Sequence, residues 1–355
     1  MVRASPTQGS GQCLSPCRES AADLSAIGHL MKKIYIVAPG NLVTGGAELS
    51  HQLGDVLNRN STRAFVIYSP FHRHYEIPVP YRKYNVGLAR RQDVEPGSII
   101  VLPEVFARLV KYFPRARVYF WWLSVDNFFA EAGHTRLGKL LGSQRIAKMQ
   151  LGLLRRRVTR HMYQSEYARM FLESVSLEPA ARLSDSLATE YIKAIESPPD
   201  WPREDLLVYN SAKGLPRTEL VLQALNECGR RMPAVVPIKG MTSGQVRRLL
   251  GRAKVYIDFG DHPGKDRLPR EAAALGACIL VGRRGSAANS IDMPIAEEFK
   301  IDDRMPGFER LAANSIYMLM DDFEHHRTRF NFYRQLIARE PAGFFDDVEA
   351  IFPPD

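Results

Sequence analysis

Residues 32–39 read KKIYIVAP, an apolar run rich in β-branched side chains, and residues 47–57 then place apolar side chains at helical spacing. The predicted order is strand, glycine loop, helix. Further short apolar runs stand at 64–69 (AFVIYS), 98–102 (SIIVL) and 117–123 (RVYFWWL), with another strand around 161–164. Runs that stay apolar rather than alternating belong to strands covered on both faces, as in a parallel sheet between helices.

The stretch 196–204, ESPPDWPRE, sets three prolines in a polar segment and reads as a linker. The pattern then restarts. Strands are predicted at 206–211 (LLVYNS), 234–239 (AVVPIK), 254–259 (KVYIDF) and 278–281 (CILV), with helices over 218–228, 245–253 and 270–275 between them. Thr242 or Ser243 is the expected cap of the middle helix. This β-α-β-α-β-α-β order describes a doubly wound unit. Two helical segments, 308–322 and 325–338, close the chain, and no repeat of solenoid period is visible.

The expected organisation is therefore α/β: a first Rossmann-like domain over 31–197 on the acceptor side, a linker over 198–204, and a second over 205–355 with closing helices. Residues 1–30, rich in Ser, Ala, Gly and Pro, are read as disordered or as an early start; the apolar stretch around 24–30 is too short and interrupted for a signal peptide. No run approaches the roughly 18 to 20 apolar residues needed to span a bilayer. The four cysteines, Cys13, Cys17, Cys228 and Cys278, lack the paired spacing of a zinc site and are too few for a disulfide framework, so a reducing, cytoplasmic setting is expected. The formal net charge of +9 favours acidic partners, among them nucleic acid, anionic lipid and nucleoside diphosphates.

Four loops follow predicted strands, where open α/β sheets bind ligands and helix N-termini present free N–H groups. In 41–48 (NLVTGGAE), Gly45 and Gly46 allow close backbone approach to a ligand or serve a tight turn. The loop lacks GxGxxG spacing, and the next strand ends in Ser69 and Pro70 without a ribose-binding acid, which counts against a dinucleotide site. In 210–216 (NSAKGLP), Lys213 is placed to neutralise a phosphate or is a solvated surface residue. The segment 258–271, DFGDHPGKDRLPRE, gathers His262, Lys265, Asp266 and Arg267 beside a glycine, and Pro269 suits the first turn of a helix. Glu271 is expected in that first turn, accepting from a ribose diol or partnering the helix dipole. In 282–289 (GRRGSAAN), Gly285 and Ser286 offer donors to a diphosphate, or the segment is a polar turn.

The GGAE loop, LLVYNSAKG, and the continuous pattern from KGMTSGQVRRLLGRAKVYIDFG to LPREAAALGACILVGRRGSAAN resemble the retaining glycosyltransferases of the large family that includes sucrose synthases and bacterial lipopolysaccharide and mannosyl transferases. The likeness extends over the chain after Met31 and is most specific between Lys213 and Asn289. It implies the GT-B fold, two Rossmann-like domains facing a cleft, with a nucleotide-sugar donor as substrate, no metal and no cofactor. It implies that Gly45 and Gly46 line the cleft, that Lys213 contacts the diphosphate, and that Glu271 is the second Glu of a Glu-x7-Glu element. The first Glu of that element is replaced by Pro263, beside His262. Lys213, Lys265 or Arg267, and the Gly285–Ser286 amides are the candidates for stabilising charge on a leaving diphosphate, and His262 is expected to orient a sugar hydroxyl where the family uses a carboxylate, or to cap nearby loop backbone. Ser124, Asp126 and Asn127 are the acceptor-side candidates, and Trp121 and Trp122 are expected in the core.

The expected function is transfer of a sugar to a glycan or lipid-linked acceptor in surface polysaccharide synthesis; the alternative is a non-catalytic relative that binds nucleotide sugars. No nucleic-acid motif or aromatic platform accompanies the basic residues, so nucleic acid is not an expected partner. Residues 135–160 carry Arg136, Lys139, Arg145, Lys148, Arg155, Arg156, Arg157 and Arg160 with no acid, interleaved with leucines. That segment is read as a basic helical face, against anionic lipid at the inner side of a membrane or simply solvated.

Overall fold

A computed structural model describes Met1 and residues 33–353. Of the segment 1–30 read as disordered or as an early start, residues 2–30, with Cys13 and Cys17, lie outside the described residues. Strands β1 (Ile34–Pro39), β2 (Ala64–Ser69), β3 (Gly87–Leu88), β4 (Ile99–Pro103), β5 (Arg117–Trp122), β6 (Val158–Tyr163) and β7 (Pro179–Arg182) form a seven-stranded sheet in the order β3-β2-β1-β4-β5-β6-β7. Strands β8 (Glu204–Asn210), β9 (Ala234–Ile238), β10 (Ala253–Asp258), β11 (Cys278–Gly282) and β12 (Lys300–Ile301) form a five-stranded sheet in the order β12-β11-β10-β8-β9. Every pairing in both sheets is parallel.

The burial of each strand explains its sequence. Every residue of β4 and of β11 is buried, as runs without polar alternation require when helices cover both faces. Pro237 sits in β9, an edge strand, where a missing N–H breaks no ladder. Trp121 and Trp122 are fully buried; the Trp121 indole N–H donates to the Leu183 carbonyl and that of Trp122 to His161 Nδ1.

The helices are α1 (Gly45–Arg59), α2 (Val125–His134), α3 (Arg136–Leu141), α4 (Ser143–Arg157), α5 (Glu166–Ser174), α6 (Thr189–Glu196), α7 (Leu215–Glu227), α8 (Ser243–Arg252), α9 (Arg267–Ala274), α10 (Phe308–Asp321), α11 (Phe323–Thr328), α12 (Asn331–Ala338) and α13 (Glu340–Ile351). Thr242 caps α8 in a reciprocal box with Gln245. The helix expected over 325–338 is broken instead between α11 and α12, where buried Phe330 stacks on Phe299 at 4.9 Å. The last helix crosses over: Phe344, Val348 and Ile351 of α13 share a core with Ile34, Ile36, Leu49 and Leu53 of the first sheet's half, whereas α10 to α12 pack on the second. Among the described residues no helix is long and apolar enough to cross a membrane.

Candidate active site

Strand order reverses between β1 and β4 in the first sheet and between β8 and β10 in the second. At such points two neighbouring loops diverge and leave a crevice beyond the carboxyl ends of the strands. Both crevices open into one cavity of about 580 Å³, lined by Gly45, Gly46, Glu104, Ser124 and Asn127 from the first half and by Lys213, Lys265, Asp266 and Arg267 from the second.

On the first side, Thr44 caps α1, and the Tyr81 hydroxyl holds the turn by accepting from the Thr44 N–H and donating to the Thr44 carbonyl, both at 2.9 Å. Gly45 and Gly46 are therefore the first helical residues, whose N–H groups have no partner within the helix. A Cβ on Gly45 would stand 3.0 Å from the Arg267 Cδ, so that glycine also makes room for a side chain from the opposite half. Ser124 caps α2 by accepting from the Asn127 N–H at 3.2 Å. Asp126 lies outside the cavity lining, where it accepts from the Tyr167 hydroxyl at 3.1 Å.

Each cavity-lining cation is met by a carboxylate. Lys213 Nζ lies 3.1 Å from Asp266 Oδ1 and, with its side chain 40% exposed, is the most open of them. Arg267 Nη1 donates to Glu48 Oε2, in the other half of the chain, at 2.7 Å, and its Nε lies 3.6 Å from Glu271. Burial works against ionisation of Glu48, but Arg267, Tyr84 and Lys83 outweigh it and hold this carboxyl below its usual range. Lys265 Nζ lies 2.9 Å from Glu340 and 3.3 Å from Asp185; Arg270 Nη1 donates to Glu340 at 2.8 Å and Nη2 to Asp185 at 2.5 Å. Asp185 and Arg270 are fully buried, so this four-charge cluster ties the β10–α9 loop to the start of α13 inside the protein.

His262 does not reach the cavity. It is fully buried, with its Nδ1 3.0 Å from Asp266 Oδ2 and its Nε2 3.2 Å from the Asp258 carbonyl. Burial disfavours its charged form, yet hydrogen bonding and charge from Asp266 and Asp258 prevail and raise its pKa. Asp266 is pushed up by burial and pulled down further by His262 and Lys213, so it stays ionised between them. Ligand atoms of Asp258, His262 and Asp266 lie within 4.8 Å of one another, and each is already engaged: Asp258 accepts from the Tyr256 hydroxyl and the Gly260 N–H, and Asp266 from Lys213. The cluster is organised as a hydrogen-bonded seat for the Lys213 ammonium.

Gly285 and Ser286 lie behind the same loop. The Ser286 N–H donates to the His262 carbonyl at 2.9 Å and its hydroxyl to the Gly264 carbonyl, so both donors are used in bracing residues 262–264, where His262 adopts a φ of 45°. The braced loop abuts the first half: the Val125 N–H donates to the Pro263 carbonyl at 3.0 Å. A Cβ on Gly264 would stand 1.9 Å from the Leu123 carbonyl oxygen. Gly264→Ala is therefore expected to lower stability by about 1–3 kcal/mol, the scale of overpacking, read as a fall in the denaturation midpoint. Glu271 departs from expectation. Helix α9 begins at Arg267, three residues earlier than its predicted start, which puts Glu271 in the second turn rather than the first. The residue is 8% exposed, with its carboxyl hydrogen-bonded to Tyr191 and beside Arg267; burial outweighs the two neighbouring arginines and raises its pKa.

Glu104, which sequence reasoning passed over, lines the cavity at the carboxyl end of β4. It is 3% exposed and accepts from the Leu123 N–H at 3.0 Å. Burial pushes its pKa up to about 8, against the pull of nearby backbone N–H groups, and no cation pairs with it among the described residues. Folded protein thus holds this proton between the ordinary carboxyl pKa and about 8 while unfolded chain releases it. The linked stability is full below the unfolded value and is lost as pH rises through the folded one. Glu104→Gln removes this dependence, so urea denaturation should show the variant gaining on the wild type by at least about 1 kcal/mol between pH 5 and pH 8.

No family model matches the chain, and no curated protein does. Solved structures do. Sucrose-phosphate synthase from Thermosynechococcus elongatus matches at 11% identity and TM-score 0.57, over 90% of this chain and 100% of that one. Anabaena HepE in complex with UDP matches at 11% identity and TM-score 0.59, over 90% and 99%. The fold is GT-B. An α,α-trehalose-phosphate synthase (UDP-forming) from Burkholderia vietnamiensis shares it at 9% identity and TM-score 0.56, over 90% and 98%. In this GT-B chain the two sheets meet at the cavity, and Glu48, Glu104 and Asp185 join the residues that the sequence singled out.

Proposed function

We propose that this protein is a glycosyltransferase that moves a sugar, in our reading a hexose, from a nucleotide-sugar donor to a glycan or lipid-linked acceptor. The observation that carries the reading is the cavity at both sheets' switch points, with the Lys213 ammonium half-exposed in it and held from behind by Asp266 and His262. The UDP complex of HepE on the same fold supports it.

In the transfer, the bond from the anomeric carbon to the diphosphate oxygen breaks, a bond to an acceptor hydroxyl oxygen forms, and the hydroxyl proton leaves with the diphosphate. Negative charge grows on that diphosphate, and fixed donors already in place stabilise it without reorganising. Lys213 and the N–H groups of Gly45 and Gly46 are the donors we assign to it, with Lys265 and Arg267 supplying positive field and Glu271 orienting Arg267. His262 is a positioning residue acting through Asp266. Ser124, Asn127 and neutral Glu104 face the acceptor, and Asp126 holds that wall through Tyr167. Retention of anomeric configuration, independence of metal, and a place in surface polysaccharide synthesis complete the reading.

A thermal-shift panel of UDP, GDP, ADP and CDP tests it, because a ligand that binds only the folded state raises stability with its concentration over Kd. One diphosphate should raise the midpoint. No shift with any of them overturns the reading, and binding without donor consumption, whatever envelope fraction is supplied as acceptor, leaves a non-catalytic binding relative.

We assign the surface of α3 and α4 to an anionic membrane face in the cytoplasm. Lys139, Arg145, Lys148 and Arg156 are exposed beside Leu140 and Met149, which are 79% and 61% exposed. Arg155 instead donates to the Val175 carbonyl and Arg160 lies over the Tyr119 ring, so those two serve packing. Each Lys or Arg near such a surface contributes about 1 kcal/mol. Changing Lys139, Arg145, Lys148 and Arg156 to Glu should abolish sedimentation with phosphatidylserine vesicles; unchanged sedimentation refutes the assignment.

A further inference from the structure

Beyond the cavity, two adjoining hollows of about 320 and 450 Å³ run along the first sheet where β2 and β3 end, sharing Phe71, His72, Arg90 and Arg91. They stand on the same carboxyl-end rim as the cavity. The same segments wall both places: the 3-10 segment Glu104–Tyr112 gives Val105 and Phe106 to the cavity wall and Leu109 and Tyr112 to the hollow, and Tyr75 of the hollow packs against Gly40, next to Pro39 of the cavity.

The electrostatics of the two places are opposite. In the cavity Lys213, Lys265 and Arg267 are each met by a carboxylate, whereas Arg73, Arg90 and Arg91 in the groove form no ion pair among the described residues. The groove's one lining carboxylate, Asp93, accepts from the Arg90 backbone N–H at 2.7 Å. Exposed His72 and His74 add further hydrogen-bonding groups. Aromatic surface accompanies the charge: Tyr112 is 45% exposed, with the Arg91 guanidinium 5.9 Å from its ring centre and Phe71 edge-on at 6.1 Å.

We propose that this groove is an acceptor subsite for a short saccharide carrying carboxylate or phosphate groups. The inference rests on the glycosyltransferase reading, since the groove lies on the same rim as the cavity and shares a walling segment with it. Guanidinium groups free of ion pairs bind carboxylate or phosphate oxygens through paired N–H donors, and aromatic faces accommodate the apolar faces of sugar rings. Hollows of this volume suit a small ligand rather than a duplex or a protein surface.

The test is direct titration of the wild-type protein with trigalacturonic acid, glucose 6-phosphate, maltotriose and a single-stranded oligothymidylate, beside the Arg90→Gln, Arg91→Gln double variant. One or both charged saccharides should bind about tenfold or more tightly than maltotriose, and the variant should lose that advantage. Which of the two binds distinguishes carboxylate from phosphate. Equal affinity for maltotriose and both charged sugars, unchanged binding in the variant, or tighter binding of the oligothymidylate than of either sugar overturns the proposal. The diphosphate thermal shift, measured on both proteins, separates the two readings: its absence with groove binding intact refutes the donor site alone, and its presence with no groove binding refutes the subsite alone.

Discussion

Replacing Arg270 with methionine is expected to destabilise the protein by about 3–5 kcal/mol, because it leaves two buried carboxylates with one cation between them and strips the hydrogen bonds that Arg270 donates. Arg270 is fully buried and bonds both Asp185 and Glu340, while Lys265 meets the same two acids from the cavity side. Methionine fills similar volume, so the loss measures charge rather than a void. The double variant Arg270→Met, Asp185→Asn should recover part of the loss, since one stranded charge is removed with its partner. A pH series adds a second check. Arg270 and Lys265 overcome the effect of burial and hold Asp185 at a pKa of about 2, below its ordinary 3.8. A carboxyl lowered in the folded state contributes stability that is present above the unfolded value and is lost as pH falls through the folded one. Wild type should therefore lose stability between about pH 4 and pH 2 more steeply than Asp185→Asn. Equal acid slopes, or a loss in Arg270→Met below about 1 kcal/mol, would show that the cluster contributes little.

Lys213→Ala is expected to slow donor turnover by about 10²–10³, the usual cost of removing one preorganised donor from developing negative charge. Nucleoside diphosphate affinity should change much less, because the contact strengthens as the leaving group gains charge. The geometry gives the reason for choosing this lysine: it is the most exposed of the cavity's cations, and Asp266 and His262 fix its position without burying it. His262→Ala should reproduce part of the effect while leaving diphosphate binding nearly intact, since the imidazole acts through Asp266. Turnover in Lys213→Ala equal to that of wild type, with a matched donor and acceptor, would remove Lys213 from the chemistry.

Much of the architecture was written in the order of residues. The apolar runs read at 32–39, 64–69, 98–102, 117–123 and 254–259 became strands β1, β2, β4, β5 and β10, each within two residues of the expected bounds, because a strand covered on both faces has no polar side to show. Thr242, one of the two caps expected, marks the start of α8, and it was legible because a cap's hydrogen bonds are local. Gly45, Gly46, Lys213, Lys265 and Arg267 were legible as site candidates from the rule that ligands gather beyond strand ends. By the same rule Glu104, at the end of β4, was within reach of sequence reasoning.

Tertiary structure alone decided the rest. Helix α5 takes part of its cap from outside its own neighbourhood: the N–H groups of Glu166 and Tyr167 donate to Asp292, in the other half of the chain, at 2.7 and 2.9 Å. Helix α13 left the second half for the first because Phe344 and Val348 fit a core that local periodicity does not display. Arg267 was visible as a cation, but its partner Glu48 lies 219 residues away in sequence. His262 looked like a reactive side chain and proved a buried support, and Ser286 spent its donors on the loop that it was expected to share with a ligand. Periodicity and capping depend on a few neighbouring residues and so survive in the sequence. Which charges face each other, and which are left unpaired for a ligand, depends on how two sheets meet.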